Sequence, residues 1–183
     1  KRLGVDHIDI ALMHDAENHI PQAINIAYPV LADLKRQGII KAIGIGINFC
    51  DVAIEIMKNV DLDIVLLAGR YTLLDQIAHN ELFPYALAHN IDITMGGVLN
   101  SGVLANPVAG ATYNYLPASD EIISRAARIG NFLKERNIPL ISAALQFPLR
   151  HPAVKSVLVG CRSAAEVATN ITEFDKTIED KVW

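Results

Sequence analysis

Short apolar runs alternate along the chain with longer segments in which apolar residues recur every three or four positions. Five of the short runs end at polar or glycine residues and predict β-strands. The predicted strands cover residues 7–13, 41–47, 62–67, 91–95 and 154–159. None of them alternates cleanly between apolar and polar residues, which indicates strands buried on both faces, as in a parallel sheet.

Helical spacing of apolar residues fills the intervals between these strands. The predicted helices cover residues 24–37, 51–58 with Asp51 as the cap, 81–89, 120–136, and 139 to about 152. The segment 96–117 is rich in Gly, Asn and Pro and predicts a loop long enough to be functional. The alternation predicts an α/β fold, either a doubly wound sheet or a (β/α) barrel.

Composition narrows the class of protein. With 183 residues, 51% of them hydrophobic, and a net charge of −4, the sequence indicates one globular domain. Its Lys and Arg residues are scattered, which argues against nucleic acid as the main partner. No apolar run approaches the roughly 20 residues that cross a bilayer, and no signal-peptide core is visible, so we expect no membrane association and a cytoplasmic location. Cys50 and Cys161 match no metal-ligand spacing and indicate reduced thiols without a metal site.

Polar residues collect where the predicted strands end. They are His14, Asp15, Asn48, Arg70, Asn100, Ser101, Arg162 and Ser163. Ligands bind beyond the carboxyl ends of the strands in both candidate folds. No G-x-G-x-x-G motif follows a strand, which favours the barrel over a dinucleotide-binding doubly wound sheet.

The last predicted strand leads into a helix start. Gly160 ends the strand, and Ser163 opens a helical pattern with Glu166 three residues later, as in a capping box. The first N–H groups of such a helix can bind a phosphate, with Arg162 supplying positive charge. Any βα unit can end in this way, so a purely structural role stays open.

Several motifs that span nearly the whole chain together resemble the aldo-keto reductase family. They are HIDIALMHD, KAIGIGINF, RYTLLDQ, NSGVLA and SVLVGCRSAAEVATNI. The phrase LLAGRYTLLDQ, with GIGIN before it and GGVLNSGVLA after it, is similar to the branch of D-threo-aldose 1-dehydrogenases, which also contains a pyridoxal 4-dehydrogenase. The resemblance implies that residues 1–183 are the C-terminal part of one (β/α)8 TIM-barrel domain, about strands four to eight with their helices. A complete barrel takes about 250 residues.

The resemblance also implies a nicotinamide cofactor at the strand ends. His14 corresponds to the family's active-site His, whose neutral imidazole would orient the substrate for hydride transfer. Asn48 would hold the nicotinamide carboxamide, and the backbone around Leu99 and Ser101 would face the pyrophosphate. The residues that match the adenosine end are Gly160, Arg162, Ser163, Glu166 and Asn170.

The sequence departs from the family pattern at four positions. Ile47 stands where most members have Ser, Ala68 where a Gln often follows the strand, and Gly96 where a Tyr usually stacks on the nicotinamide. Glu166 occupies the place of an Arg in many NADP-dependent members. Its carboxylate would repel a 2′-phosphate and accept hydrogen bonds from a free ribose hydroxyl, so NAD is expected rather than NADP. The alternative is that Glu166 only completes the capping box.

The activity that the resemblance implies is NAD(P)-dependent oxidation of a sugar's anomeric hydroxyl to a lactone, with pyridoxal oxidation as the nearest alternative. The expected partner is a small sugar, aldehyde or alcohol. The family's catalytic Asp, Tyr and Lys would precede this sequence, and no tyrosine stands in the matching context. A noncatalytic nucleotide-binding or partner-binding subunit therefore stays open. An unrelated phosphate-binding barrel such as an aldolase is disfavoured, because no predicted strand ends in Lys.

Overall fold

The computed structural model describes residues 3–183, so the first two residues of the predicted 1–183 domain lie outside it. Its main feature is a five-stranded parallel sheet, accompanied by a two-stranded antiparallel hairpin. The strands are β1 (Ile8–His14), β2 (Ile40–Ile47), β3 (Ile64–Ala68), β4 (Asp92–Gly96), β5 (Thr112–Tyr113), β6 (Leu116–Pro117) and β7 (Val154–Val157). β5 and β6 form the hairpin.

The order of the strands decides between the two predicted folds. In the sheet they follow the chain, β1-β2-β3-β4-β7, and every neighbouring pair is parallel. A doubly wound sheet reverses its strand order at a switch point, and this sheet does not. The structure is therefore a partial (β/α)8 barrel that remains open between β1 and β7 within residues 3–183, which confirms the predicted barrel.

Helices connect the parallel strands. They are α1 (Ile20–Gln22), α2 (Tyr28–Arg36), α3 (Cys50–Asn59), α4 (Leu82–Ala88), α5 (Asp120–Lys134), α6 (Leu140–Gln146) and α7 (Ala164–Phe174). Short 3-10 turns lie at Ala16–Asn18, Ile77–His79, Asn100–Gly102, Phe147–Arg150 and Asp180–Val182. A π-helical stretch, Ala23–Ala27, joins α1 to α2. The first helical segment therefore begins at Ile20, earlier than predicted, with a proline in its first turn, where proline is tolerated.

Three other local predictions are corrected by the structure. Asp51 does not cap α3, because the extended residue Phe49 occupies the cap position and Asp51 lies in the first turn, where its charge favours the helix dipole. β7 ends at Val157, although the Leu158 N–H still donates to the Met95 carbonyl at 2.8 Å. The segment 96–117 is not a plain loop, because it contains a 3-10 turn and the hairpin.

Two apolar clusters hold the strand ends in place. The larger lies on the sheet, where the central strands contribute fully buried side chains such as Ile45, Val65 and Ile93. The smaller joins α5 and α6 to the segment after β4 through Leu74, Val103, Leu104, Ala126 and Ala144. Burial of these side chains fixes the segment after β4 against the carboxyl end of the sheet. Across residues 3–183, no helix combines the length and the apolar character needed to span a membrane.

Candidate ligand-binding site

A cavity of about 850 Å³ opens at the carboxyl ends of β2, β3, β4 and β7. Its wall is formed by segments 48–49, 68–70, 97–102 and 158–160 and by the first turns of α7. This is the edge at which barrel proteins bind their ligands. The cavity brings together seven of the residues singled out from the sequence: Asn48, Leu99, Ser101, Gly160, Arg162, Glu166 and Asn170.

Two of the predicted site residues do not line this cavity. His14 ends β1 opposite Gly46, its side chain is 60% exposed, and its Nδ1 lies 2.9 Å from Asp15 Oδ2. The His14 ring lies against Gly46, where an added Cβ would sit 2.5 Å from His14 Cδ2. Ser163 caps α7, with its Oγ accepting a hydrogen bond from the Glu166 N–H at 3.2 Å. Its contact is therefore with the helix backbone rather than with the cavity.

The start of α7 carries a local ion pair. Glu166 Oε2 accepts a hydrogen bond from the Arg162 backbone N–H at 2.7 Å, and Oε1 lies 3.3 Å from the Arg162 guanidinium. The reciprocal arm of the predicted capping box thus reaches Arg162 rather than Ser163, because Arg162 offers both a backbone N–H and a cationic group. The Arg162 backbone hydrogen bond, followed by the Arg162 charge, lowers the pKa of Glu166. The carboxylate stays ionised and balances the arginine.

One turn along α7, Asn170 presents an amide on the same helix face as Glu166. Residues four apart on a helix are neighbours, and both border the cavity. The Asn170 Nδ2 lies 3.3 Å from Cys161 Sγ, which ties the helix to the turn after β7. This end of the cavity therefore offers one cation, one anion and one amide.

At the end of β3, on another part of the cavity wall, Arg70 is fixed by two hydrogen bonds. Its Nε donates to the Asn48 carbonyl at 2.7 Å, and its Nη1 donates to Asp75 Oδ2 at 3.1 Å. The two side chains of this ion pair are only 21% and 18% exposed. Nearby, burial raises the pKa of the Cys50 thiol to about 11, so the thiol is neutral. Sequence reasoning noted Arg70 only as a polar strand-end residue and missed its bond to Asn48.

The middle of the cavity wall has an unusual backbone. Asn100, Ser101 and Gly102 have φ angles of 45°, 60° and 110°, in the left-handed region that non-glycine residues seldom adopt. Ser101 Oγ accepts from the Tyr115 N–H at 3.0 Å, and the Thr112 hydroxyl donates to the Ser101 carbonyl. These bonds attach the hairpin to the cavity rim. The segment 97–102 therefore presents mostly backbone and small side chains to a ligand.

The contact of Asn100 with the cavity wall was also not predicted from the sequence. It is 2% exposed, and its Nδ2 lies 3.5 Å from the Gly69 carbonyl. Its Oδ1 has no hydrogen-bond partner among residues 3–183. The preference of Asn for turns with positive φ was a sequence clue to the backbone here, but nothing in the sequence indicated its contact with Gly69.

Because the strands lie in the order β2-β3-β4-β7, the cavity wall has polar side chains on both sides of the backbone segment that follows β4. Asn48 and Arg70 offer hydrogen-bonding groups at one end, glycine-rich backbone forms the middle, and the start of α7 offers charged groups at the other. Within the described part of the chain, no group of three or more His, Cys, Asp or Glu residues is placed to hold a metal ion. The site is therefore built from amides, backbone and one ion pair at each end.

Comparison with known proteins gives matches over the whole length of the chain. The family model described as the Aldo/keto reductase family matches residues 1–183. Pyridoxal 4-dehydrogenase from Microbacterium luteolum is 37% identical over 100% of this chain and 57% of its own length. D-threo-aldose 1-dehydrogenase from a Pseudomonas species is 38% identical over 100% of this chain and 56% of its own length. The chain thus spans little more than half the length of these two relatives.

The fold agrees with these matches. The holo form of an aldo-keto reductase from Bacillus halodurans superposes with a TM-score of 0.77 at 26% identity, covering 98% of this chain and 59% of that one. Its apo form gives a TM-score of 0.75 at 25% identity, covering 99% of this chain and 61% of that one. From the family match over its whole length and the partial barrel that it shares with these structures, the chain belongs to the Aldo/keto reductase family.

Proposed function

We propose that the cavity binds NAD(H) and that the whole protein of which this chain forms the C-terminal barrel half is an NAD-dependent aldose 1-dehydrogenase. The proposal is supported by the order of groups along the cavity wall, which has polar side chains on both sides of a stretch of backbone. A dinucleotide has the matching order of groups, with a carboxamide at one end, a ribose and adenine at the other, and a diphosphate between them.

Each part of the dinucleotide has a counterpart in the wall. Asn48 would hold the carboxamide, the backbone at Leu99 and Ser101 would face the diphosphate, and the residues around Arg162 would receive the adenosine end. When bound, the nicotinamide supplies the chemistry of hydride transfer, and the protein supplies position. His14 would orient the substrate from the neighbouring strand end, on the side of β2 away from β3.

Glu166 supports NAD over NADP. Its ionised carboxylate lies at the helix start where an extra phosphate on the adenosine ribose would have to bind, and it already balances the Arg162 guanidinium. A free ribose hydroxyl can donate to the carboxylate, whereas a phosphate would be repelled. We therefore expect NADH to bind about tenfold more tightly than NADPH, a difference of roughly 1.4 kcal/mol.

The first test is a fluorescence titration of the 183-residue chain with NADH and, separately, with NADPH. Glu166→Gln should keep the helix but weaken the preference for NADH, because the amide no longer repels a phosphate. Glu135→Gln, at the exposed residue that follows α5 and lies outside the cavity wall, serves as the matched control and should leave both affinities unchanged. Tighter binding of NADPH by the unsubstituted chain would overturn the assignment of NAD.

The substrate is assigned from the relatives. Both D-threo-aldose 1-dehydrogenase and pyridoxal 4-dehydrogenase match the full chain at nearly equal identity, so pyridoxal is the second candidate. An assay of the full-length protein with NAD and either L-fucose or pyridoxal separates them. We expect formation of NADH with the sugar, and turnover of pyridoxal alone would replace the aldose assignment.

A noncatalytic nucleotide-binding subunit is the third possibility, favoured by the position of His14 outside the cavity wall. It predicts that NADH binds while the full-length protein turns over neither substrate. Turnover of either substrate would exclude this possibility. The NADH titration measures nucleotide binding whether or not the full-length protein is catalytic.

A further inference from the structure

We propose that Arg70 is a ligand-binding residue whose Nη2 donates a hydrogen bond to the carbonyl oxygen of the nicotinamide carboxamide. The proposal rests on the proposed function, because it requires the dinucleotide to lie with its nicotinamide at the β2 and β3 end of the cavity. Arg70 follows β3, next to the end of β2 where Asn48 lies. Its guanidinium would be a second and stronger hydrogen-bond donor to the carboxamide, beside the predicted contact of Asn48.

Arg70 cannot move freely. Its guanidinium is bonded at Nε to the Asn48 carbonyl and at Nη1 to Asp75. Asp75 is held in turn, because its N–H donates to Thr72 Oγ1 at 3.0 Å and Thr72 is fully buried. A side chain fixed in this way loses little further conformational entropy when it binds a ligand.

One edge of the Arg70 guanidinium is available. The hydrogen bonds of Arg70 within residues 3–183 use Nε and Nη1 and leave Nη2 without a protein partner. Arg70 Nη2 retains solvent-accessible surface, because it is neither bonded to the protein nor fully buried within residues 3–183. Arg70 lines the cavity, so the proposal directs this free edge at a ligand in the cavity.

The charge around Arg70 indicates which kind of ligand group it would bind. The carboxylate of Asp75 neutralises the guanidinium at 3.1 Å, so this end of the cavity does not present a free positive charge. An uncharged carbonyl oxygen suits such a donor better than an anion does. The two residues before Arg70 are Ala68 and Gly69, which carry no polar side chain, so Arg70 supplies the side-chain donor at the end of β3.

The test compares three probes on the full-length protein of which this chain is part and on its Arg70→Met variant. The probes are NADH, its 3-acetylpyridine analogue, which keeps the carbonyl oxygen but lacks the amide nitrogen, and ADP-ribose, which lacks the ring. We expect Arg70→Met to weaken NADH and the acetylpyridine analogue by about tenfold each and to leave ADP-ribose unchanged. Arg128→Met, at an exposed arginine of α5 outside the cavity wall, is the matched control and should change none of the three affinities.

Each other outcome overturns the inference. Equal losses for all three probes would show that Arg70 only maintains the shape of the wall. A loss for NADH without a loss for the acetylpyridine analogue would place the contact on the amide nitrogen, and no loss would remove the contact altogether. If the unsubstituted protein binds no NADH, the proposed function fails with it, whereas NADH binding that Arg70→Met leaves unchanged overturns this inference alone. The unfolding midpoint of each variant shows that it is folded.

Discussion

At the scale of single residues, two glycines of β2 shape the strand end beside the site. A Cβ at Gly44 would lie 2.3 Å from the Ile64 carbonyl oxygen, which belongs to the backbone of the neighbouring strand. The three atoms nearest to a Cβ at Gly46 all belong to the ring of His14, whose side chain is largely exposed. The backbone cannot yield without breaking strand pairing, whereas an exposed ring can rotate away.

We therefore predict different costs for the same substitution at these two positions. Gly44→Ala should lower the free energy of unfolding by about 2–3 kcal/mol, because the added methyl group forces β2 and β3 apart. Gly46→Ala should cost less than about 1 kcal/mol and should displace the His14 ring instead. Chemical denaturation of both variants measures the difference. Equal losses of stability would contradict the close approach of β2 to β3.

Some contacts of single residues could be inferred from the sequence and others could not. That polar residues at strand ends converge follows from parallel pairing, and this rule correctly grouped Asn48, Arg70 and Ser101 at one cavity. Leu99 and Gly160 were expected there only from the family resemblance. The bond between Arg70 and the Asn48 carbonyl joins residues on two different strand ends, and no spacing along the chain encodes it. The exposure of His14 likewise depends on how the edge strand packs, which the sequence pattern does not specify.

At the scale of elements, the Ser163 hydroxyl caps the N-terminus of α7. Ser163 Oγ accepts from the Glu166 N–H, and Ser119 does the same for the Ile122 N–H at the start of α5. The pattern of Ser followed three residues later by an acidic residue predicted the first cap correctly. The hydrogen bond from the Arg162 N–H to the Glu166 carboxylate, in place of one from the Ser163 N–H, was not predictable, because it depends on the path of the turn before the helix.

The two caps provide a matched pair of variants. Ser163→Ala and Ser119→Ala should each lower the free energy of unfolding by about 1 kcal/mol, the usual value of such a cap. Only Ser163→Ala should also weaken NADH binding, because α7 borders the cavity with its first turns and α5 does not. Thermal unfolding and NADH titration of both variants check this. Equal effects of the two substitutions on NADH affinity would show that the start of α7 is not part of the NADH site.

At the scale of the whole molecule, the alternation of strands and helices was sufficient to predict a parallel sheet, and the absence of a glycine-rich dinucleotide motif favoured the barrel. The sequential strand order confirms that choice. The β5–β6 hairpin could not be predicted, because strands of two residues are too short to show a period. Yet this hairpin is bonded to Ser101 and completes the rim of the cavity, so the unpredicted element lies at the site itself.

A chemical-shift titration of the isotope-labelled 183-residue chain with NADH tests directly where the dinucleotide binds. We propose that one cavity, built from four strand ends and α7, holds the dinucleotide. We predict saturable shifts of the backbone amides in segments 48–49, 97–102 and 158–166, with the exposed face of α5 unchanged. Shifts confined to a different surface, or no saturable shift at millimolar NADH, would contradict the claim.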